Sequence, residues 1–350
     1  MLNLKEYIKE SILDDEEVVF NDVGIKSEIE KFIEDNYKCN RFTILNKPNK
    51  DGKFVVDGTN ILVANKNITS LTNNLFIWGK VNGEFDCSNC KSLTSLEGAP
   101  EEVSRYFNCS CCDSLKTLEG APREVGSCFG CQYCYSLKSL EGAPEKIRGD
   151  FYCSGCNSLT SLKGAPKEVG KDFVCYRCRS LISLEGAPEK VGGDFSCSNC
   201  DSLTSLKGAP EKVKRSFYCS YCDSLKSLEG APNKVWSRFD CAYCKSLTSL
   251  EGAPEKVNGC FDCSSCNSLK SLEDAPKEVG EDFNCSLCKS LTSLKGAPEK
   301  VKRSFYCSYC SSLTSLEGAP KKVNGDFQCI GNKFSIEDIE KVVKAKYIKI

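Results

Sequence analysis

The chain has 350 residues, 40% of them hydrophobic and 27% charged, with 47 basic against 48 acidic side chains and a formal net charge of −1. That balance is ordinary for an ordered protein, and it excludes a surface basic throughout, built to grip nucleic acid or anionic membrane over its whole area. There are 27 cysteines and no histidine, which excludes Cys–His and Ser–His–Asp nucleophile systems and removes a favoured zinc ligand.

In chain order, the opening Met1-Leu-Asn-Leu-Lys-Glu-Tyr7 has no long apolar core, so no signal peptide is expected. No apolar run approaches the ~20 residues that span a bilayer. A cytoplasmic protein with reduced cysteines is the expectation. Residues 1–38 form a helical segment: Leu4, Tyr7, Ile8 and Ile12, then Ile25, Ile29, Phe32 and Ile33, recur at helical spacing over 3–13 and about 22–37. The acidic run Asp14–Glu17 separates the two stretches. They read as two short helices packed on the first coil; the sharper alternative makes the first a sorting or docking peptide. Residues 39–84 follow as a cap, in which Arg41–Leu45 and Lys53–Val56 flank the hairpin signal Asn49-Lys-Asp-Gly52, with a degenerate coil over 61–84. At the far end, residues 333–350, Ser335-Ile-Glu-Asp338 predicts a capping helix with Ser335 as N-cap, running through about Lys344.

Between the caps, residues 85–332 are a repeat. Phenylalanine recurs at 85, 107, 129, 151, 173, 195, 217, 239, 261, 283, 305 and 327, an unbroken interval of 22. Eleven complete units and a terminal partial one follow the pattern F-x-C-x-x-C-x-S-L-x-S-L-x-G-A-P-x-x-V. Departures are few: Asp274 for the glycine, Ile147 for the valine, Thr117 for the second serine. Phenylalanine and the first cysteine, two apart, share one face of an extended strand, and the leucines and valine complete an apolar set. Gly-Ala-Pro is turn chemistry and holds eleven of the twelve prolines. The stretch after each turn is too short for a helix and predicts strands and tight turns. One unit cannot fold alone, so the fold class is a mainly β repeat solenoid with one parallel strand per coil and little or no convex helix. Serine columns such as Ser92 and Ser95 are expected to bond the backbone of adjacent coils.

The unit F-x-C-x-x-C-x-S-L-x-S-L resembles the core of leucine-rich repeats, with Cys90-x-x-Leu93-Thr94 similar to their cysteine-containing subclass. Reiterated L-T-S-L-E-G-A-P resembles uncharacterised leucine-rich-repeat-like proteins of tailed phages and large DNA viruses, and Leu4–Asp15 looks like leader segments on such phage proteins. The resemblance covers about residues 61–332. It implies the architecture and a binding or scaffold role; if the viral likeness holds, the setting is the host-cell cytoplasm, with the virion as an alternative.

The cysteines raise a metal reading. Cys87, Cys90, Cys109 and Cys112 have the C-x2-C-x18-C-x2-C spacing of a zinc site, as do their equivalents. Against it, asparagine replaces the second cysteine at Asn332 and, by alignment, at Asn65, with Leu62 in the place of Cys87. Eleven pairs also cannot divide into two-pair sites, and no pair has a zinc-knuckle glycine. Packing cysteines, and no cofactor, are the expectation; a zinc-binding cysteine-repeat protein is the alternative. Cys39, Cys111, Cys128 and Cys260 lie outside the pairs and read as incidental, with a redox or palmitoylated role as the alternative.

Function is sought among the variable positions. Tyr133, Tyr152, Tyr176, Tyr218, Tyr221, Tyr243, Tyr306 and Tyr309, with Arg177 among them, lie at or beside the outward positions of the strand. Tyrosine gives contact area and a hydroxyl at low entropic cost; equally, β-surfaces favour aromatics. Lys214-Arg215 and Lys302-Arg303 read as solvated turns. No phosphate loop or catalytic constellation is present. The reading is a non-enzymatic protein that binds a protein partner through its strand face, without membrane or nucleic acid; a rod-like virion component is a further alternative.

Overall fold

The computed structural model describes residues 15–350, with side chains from residue 22 onward. The chain divides into two compact units, residues 1–149 and 150–350, which are taken separately. The helix expected over 3–13 lies outside the described residues.

In the first unit, helix α1 (Asp15–Asn36) leads into β1 (Tyr37–Ile44), β2 (Phe54–Val63) and β3 (Phe76–Asp86). The helix is longer than the pattern suggested. It runs without a break from Asp15 through Asn36, so the acidic run does not separate two helices within the described residues. Strand β1 pairs antiparallel with β2, from Tyr37 opposite Val63 to Ile44 opposite Val56. This is the expected hairpin with longer arms. Its turn is closed by the Asn49 carboxamide, which accepts from the Asp51 and Lys53 N–H groups at 3.0 Å. Strand β2 then pairs parallel with β3 through two register shifts. Those shifts correct the expected alignment. Leu62 stands beside Asp86 and is exposed, while Val63 is buried, one residue further on, opposite the place of Cys87. Asn65 is exposed and donates to the Asn36 side chain at 2.9 Å rather than joining a core ladder. An aromatic cluster seals this end: Phe32 of α1 meets Phe76 edge-on at 5.8 Å, and Tyr37 meets Trp78 at 5.2 Å.

Both units are built of 22-residue β-solenoid coils. Each coil contributes a two-residue strand at the Lys/Glu–Val step, a bend, and a second strand at phenylalanine, as in Lys212–Val213 and Phe217–Tyr218. These strands pair in parallel and in register, phenylalanine on phenylalanine and valine on valine. The phenylalanine rings therefore stack, at 5.3–5.4 Å over Phe85, Phe107 and Phe129 in the first unit and at 5.1–5.5 Å from Phe151 to Phe327 in the second. Leucines, valines and both cysteines of each pair fill the rest of the buried core.

The Gly-Ala-Pro corner is a tight turn in which Ala99 donates to Leu96 at 2.9 Å while Gly98 takes φ +84°. A side chain there meets a second obstacle, since a Cβ on Gly208 would lie 2.6 Å from the Glu185 backbone nitrogen of the coil before. The second serine bonds within its own coil in several units, contrary to expectation: Ser249 and Ser315 accept the Glu251 and Glu317 N–H groups at 2.9 and 3.0 Å. The first-serine column does reach across coils at Ser268, which donates to the Lys245 carbonyl at 2.7 Å.

The second unit ends differently from the sequence reading. Ser335 caps a five-residue helix α2 (Ile336–Glu340) in a reciprocal capping box with Asp338. The helix stops well before Lys344. Residues Lys344–Lys349 instead form a final strand, parallel to Lys322–Gln328, with Phe327 opposite Ile348. The unsatisfied strand edge of the last coil outbids helix propensity in a run with β-forming Tyr347 and Ile348.

Candidate interaction surface

The cysteines come first, because they decide whether the site is metallic. From Cys112 onward, second cysteines donate their S–H to the carbonyl of the first cysteine one coil earlier. In the first unit Cys112 reaches Cys87 at 3.3 Å and Cys134 reaches Cys109 at 3.2 Å. In the second, Cys178, Cys200, Cys222, Cys244, Cys266, Cys288 and Cys310 repeat this at 3.2–3.3 Å. At the last rung Asn332 replaces the thiol and donates its amide to the Cys307 carbonyl at 2.7 Å. Several first cysteines donate the other way, Cys241 to the Asp262 carbonyl at 3.3 Å and Cys285 to Tyr306 at 3.3 Å. The second-cysteine thiols thus answer core carbonyls one coil earlier, while the first-cysteine thiols add to carbonyls that already accept the same residue's N–H, Cys241 to Asp262 and Cys285 to Tyr306 at 2.8 Å. Burial pushes the Cys87, Cys219, Cys241 and Cys285 thiols well up, the reverse of what a thiolate ligand needs. Among the described residues, no group of three or more Cys, Asp or Glu side chains is placed to hold a metal ion.

The residue before the second cysteine adopts a left-handed backbone in coil after coil. In the first unit these are Asn89, Cys111 and Tyr133, at φ 57–62°. In the second they include Arg177, Asn199, Tyr221, Tyr243, Leu287 and Tyr309, at φ 56–63°. Asparagine and glycine take this conformation readily; tyrosine, leucine and arginine do so at a cost of order 1–3 kcal/mol. The ladder enforces it, because this residue's N–H must reach the next coil: Tyr221 to Ala242 at 2.9 Å, Tyr243 to Ser264 at 2.8 Å, Tyr309 to Ile330 at 2.7 Å.

The sequence-nominated residues therefore fall into three columns. Tyr152, Tyr218 and Tyr306 sit between phenylalanine and the first cysteine and are half-buried; Tyr176, just past the first cysteine, is half-buried too. Tyr133, Tyr221, Tyr243 and Tyr309 occupy the left-handed corner and are 42–55% exposed. They gather in clusters rather than along one continuous stripe. In the first unit Tyr133 meets Tyr135 edge-on at 6.5 Å. In the second, Arg177 lies over the Tyr176 ring at 5.3 Å, and the Tyr221 and Tyr243 rings stack at 4.4 Å within 3° of parallel. Tyr309 lies against Gly331, where a Cβ would come 2.6 Å from the ring.

Sequence reasoning passed over Arg238 and Trp236, one coil along from Tyr218. The Arg238 guanidinium bridges Asp240 at 3.1 Å and Asp262 at 2.7 Å, two carboxylates set side by side by the in-register pairing. Burial pushes the Asp240 carboxyl up, against the Ala242 N–H and the guanidinium. The signal for Arg238 was available, since it stands where most coils carry aspartate or serine.

No protein-family model matches the chain, and no curated protein matches it. Among solved structures, a leucine-rich repeat protein from Bacteroides ovatus is similar, with 16% identity over 89% of this chain and 99% of the other and a TM-score of 0.36.

Proposed function

We propose that the chain is a non-enzymatic interaction scaffold that binds a protein partner through the strand face of the second unit, centred on Tyr218, Tyr221 and Tyr243. The stacked Tyr221–Tyr243 pair carries this reading. Two exposed aromatic rings are held face to face at equivalent corners of neighbouring coils, where the ladder fixes the backbone that carries them. Arg238 beside them adds the other residue type that dominates binding hot spots. A stacked pair presents a rigid surface with little entropy left to lose on binding. The leucine-rich-repeat resemblance of the sequence points the same way. The core thiol columns are tied to backbone carbonyls, which supports a packing role for those cysteines.

The test is a pull-down with quantitative cross-linking from cells of the source organism, comparing wild type with Tyr218→Ser/Tyr221→Ser/Tyr243→Ser. The triple variant should keep its circular dichroism and unfolding midpoint, since none of the three rings belongs to the buried core. Partner capture should fall by at least about tenfold, as expected for loss of aromatic hot spots worth ~2 kcal/mol or more. Undiminished capture by a folded variant would move the interface elsewhere.

A further inference from the structure

A second surface lies across the bend from the tyrosines. Lys190, Lys212, Lys234 and Lys256 occupy one column of the second unit, with Lys190 paired on Lys212, Val213 on Val235, and Lys234 on Lys256. Parallel pairing sets such residues roughly 4.8 Å apart, and like charges directly opposite oppose folding. Carboxylates answer the outer two: Lys190 pairs with Glu168, and Lys256 with Glu278. Among the described residues, the inner two, Lys212 and Lys234, form no ion pair. Beside them stands Trp236, 56% exposed, with the Lys234 ammonium 3.9 Å from its ring centroid. Trp236 occupies a position held by glycine, lysine or asparagine in the other coils of this unit. An exposed tryptophan beside two lysines that form no ion pair, in a row of four, is the composition of an anchor site for an anionic partner carrying an apolar side chain.

The flanking column narrows the class of partner. Glu189, Glu211 and Glu255 are exposed immediately before the lysines, with Asn233 interrupting them beside Lys234. A polyphosphate, negative along its whole length, is repelled by that column. A partner acidic along one stripe only is not. Side chains three and four apart on a helix lie ~5–6 Å from one another, close to the rung spacing of the lysines, whereas alternate residues of an extended chain lie nearer 7 Å apart. We propose that the Lys190–Lys212–Lys234–Lys256 row with Trp236 docks the acidic stripe of an amphipathic helix from a partner protein, an apolar residue of that helix seating on Trp236. This surface is independent of the tyrosine face.

Trp236 reports on its own site. Trp78, the other tryptophan, is buried in the core of the first unit, so a change in exposed-indole emission reads Trp236. The probe is a synthetic helical peptide with glutamates on one stripe, lysines beside it and one leucine at the stripe's edge. Titrating it into the full chain should shift the emission blue. Lys212→Glu/Lys234→Glu should weaken binding by about tenfold or more, and raised salt should weaken it in wild type. Both lysines are exposed, and circular dichroism confirms that the variant is folded. Tyr221→Ser/Tyr243→Ser should bind the peptide as wild type does, so this proposal and the strand-face reading fail separately. No shift with the peptide, equal binding of a scrambled peptide or of oligothymidylate, or unchanged affinity in the charge-reversed variant would each overturn it.

Discussion

Asp274 isolates what the corner glycine does. It is the single departure from glycine in the Gly-Ala-Pro column, and it keeps the positive φ, 66°. A Cβ in that conformation is strained, though aspartate tolerates it better than most residues. Asp274→Gly is therefore expected to raise stability by ~1 kcal/mol. The converse, Gly208→Ala, should cost ~1–3 kcal/mol, since it meets both the φ restriction and the close Glu185 backbone. Urea unfolding midpoints measure both; a destabilised Asp274→Gly would show that its carboxylate does something the turn geometry does not reveal. The sequence made the glycine's conformational role legible, because Gly-Ala-Pro is a turn in any context. It could not reveal the second constraint, which is imposed by a backbone 22 residues away. Nor did it reveal the left-handed corner before the second cysteine. Tyr221, Arg177 and Leu287 are residues no turn rule would place there, and the conformation is forced by the ladder instead.

At the scale of the element, the thiol ladder makes a prediction about pH. The Cys90 thiol is pushed up to about 11 and the Cys310 thiol to about 12, with burial the leading cause in each. Unfolded thiols lose their proton near ~8.5. Above that value the unfolded chain binds fewer protons than the folded one, so stability falls as pH rises. The thiol contribution is fully present below about pH 8.5 and is lost through the range 8.5 to 12. Each thiol that burial pushes up, such as Cys87, Cys219, Cys241 and Cys285, steepens the fall by up to ~1.4 kcal/mol per pH unit. Under reductant, the urea midpoint should drop markedly between about pH 7.5 and pH 10; a flat profile would mean that the thiols ionise freely in the folded state. The same ladder explains why Asn332 was readable as a cysteine equivalent while Asn65 was not. Both align with a second cysteine in the sequence, but only Asn332 sits in unbroken register and takes the thiol's place; the shifts between β2 and β3 move Asn65 out of that place, to the surface.

At the scale of the whole molecule, in-register coils bind mainly their neighbours, so stability should approximate a sum over coils. Deleting residues 195–216, one coil of the second unit, joins Asp194 to Phe217, equivalent positions of the repeat. The shortened chain should fold, with the same circular dichroism per residue and a urea m-value for that unit lower by roughly a tenth, in proportion to the surface it buries. Failure to fold would show that the coils are not interchangeable. The ends follow a different rule from the middle. At the C-terminal end the pattern around Ser335 announced a helix start, and the capping box is there. What the pattern missed was that the open edge after Lys322–Gln328 would take Lys344–Lys349 as a last strand.

The sequence by itself determined the coil: its 22-residue period, the residues that turn it, and the phenylalanine, cysteine and leucine columns that face inward. Those follow from local sterics and from the cost of exposing apolar side chains, which act on any chain bearing this pattern. Only the tertiary structure decided where the polar groups find partners. Several second serines close their own turns, the thiols answer carbonyls one coil away, and Arg238 bridges two aspartates. It also decided which variable residues become neighbours, stacking Tyr221 on Tyr243 and lining up Lys212 with Lys234. Residues 22 apart in sequence meet at one rung because parallel pairing fixes the register, and that register exists only once the coils are stacked.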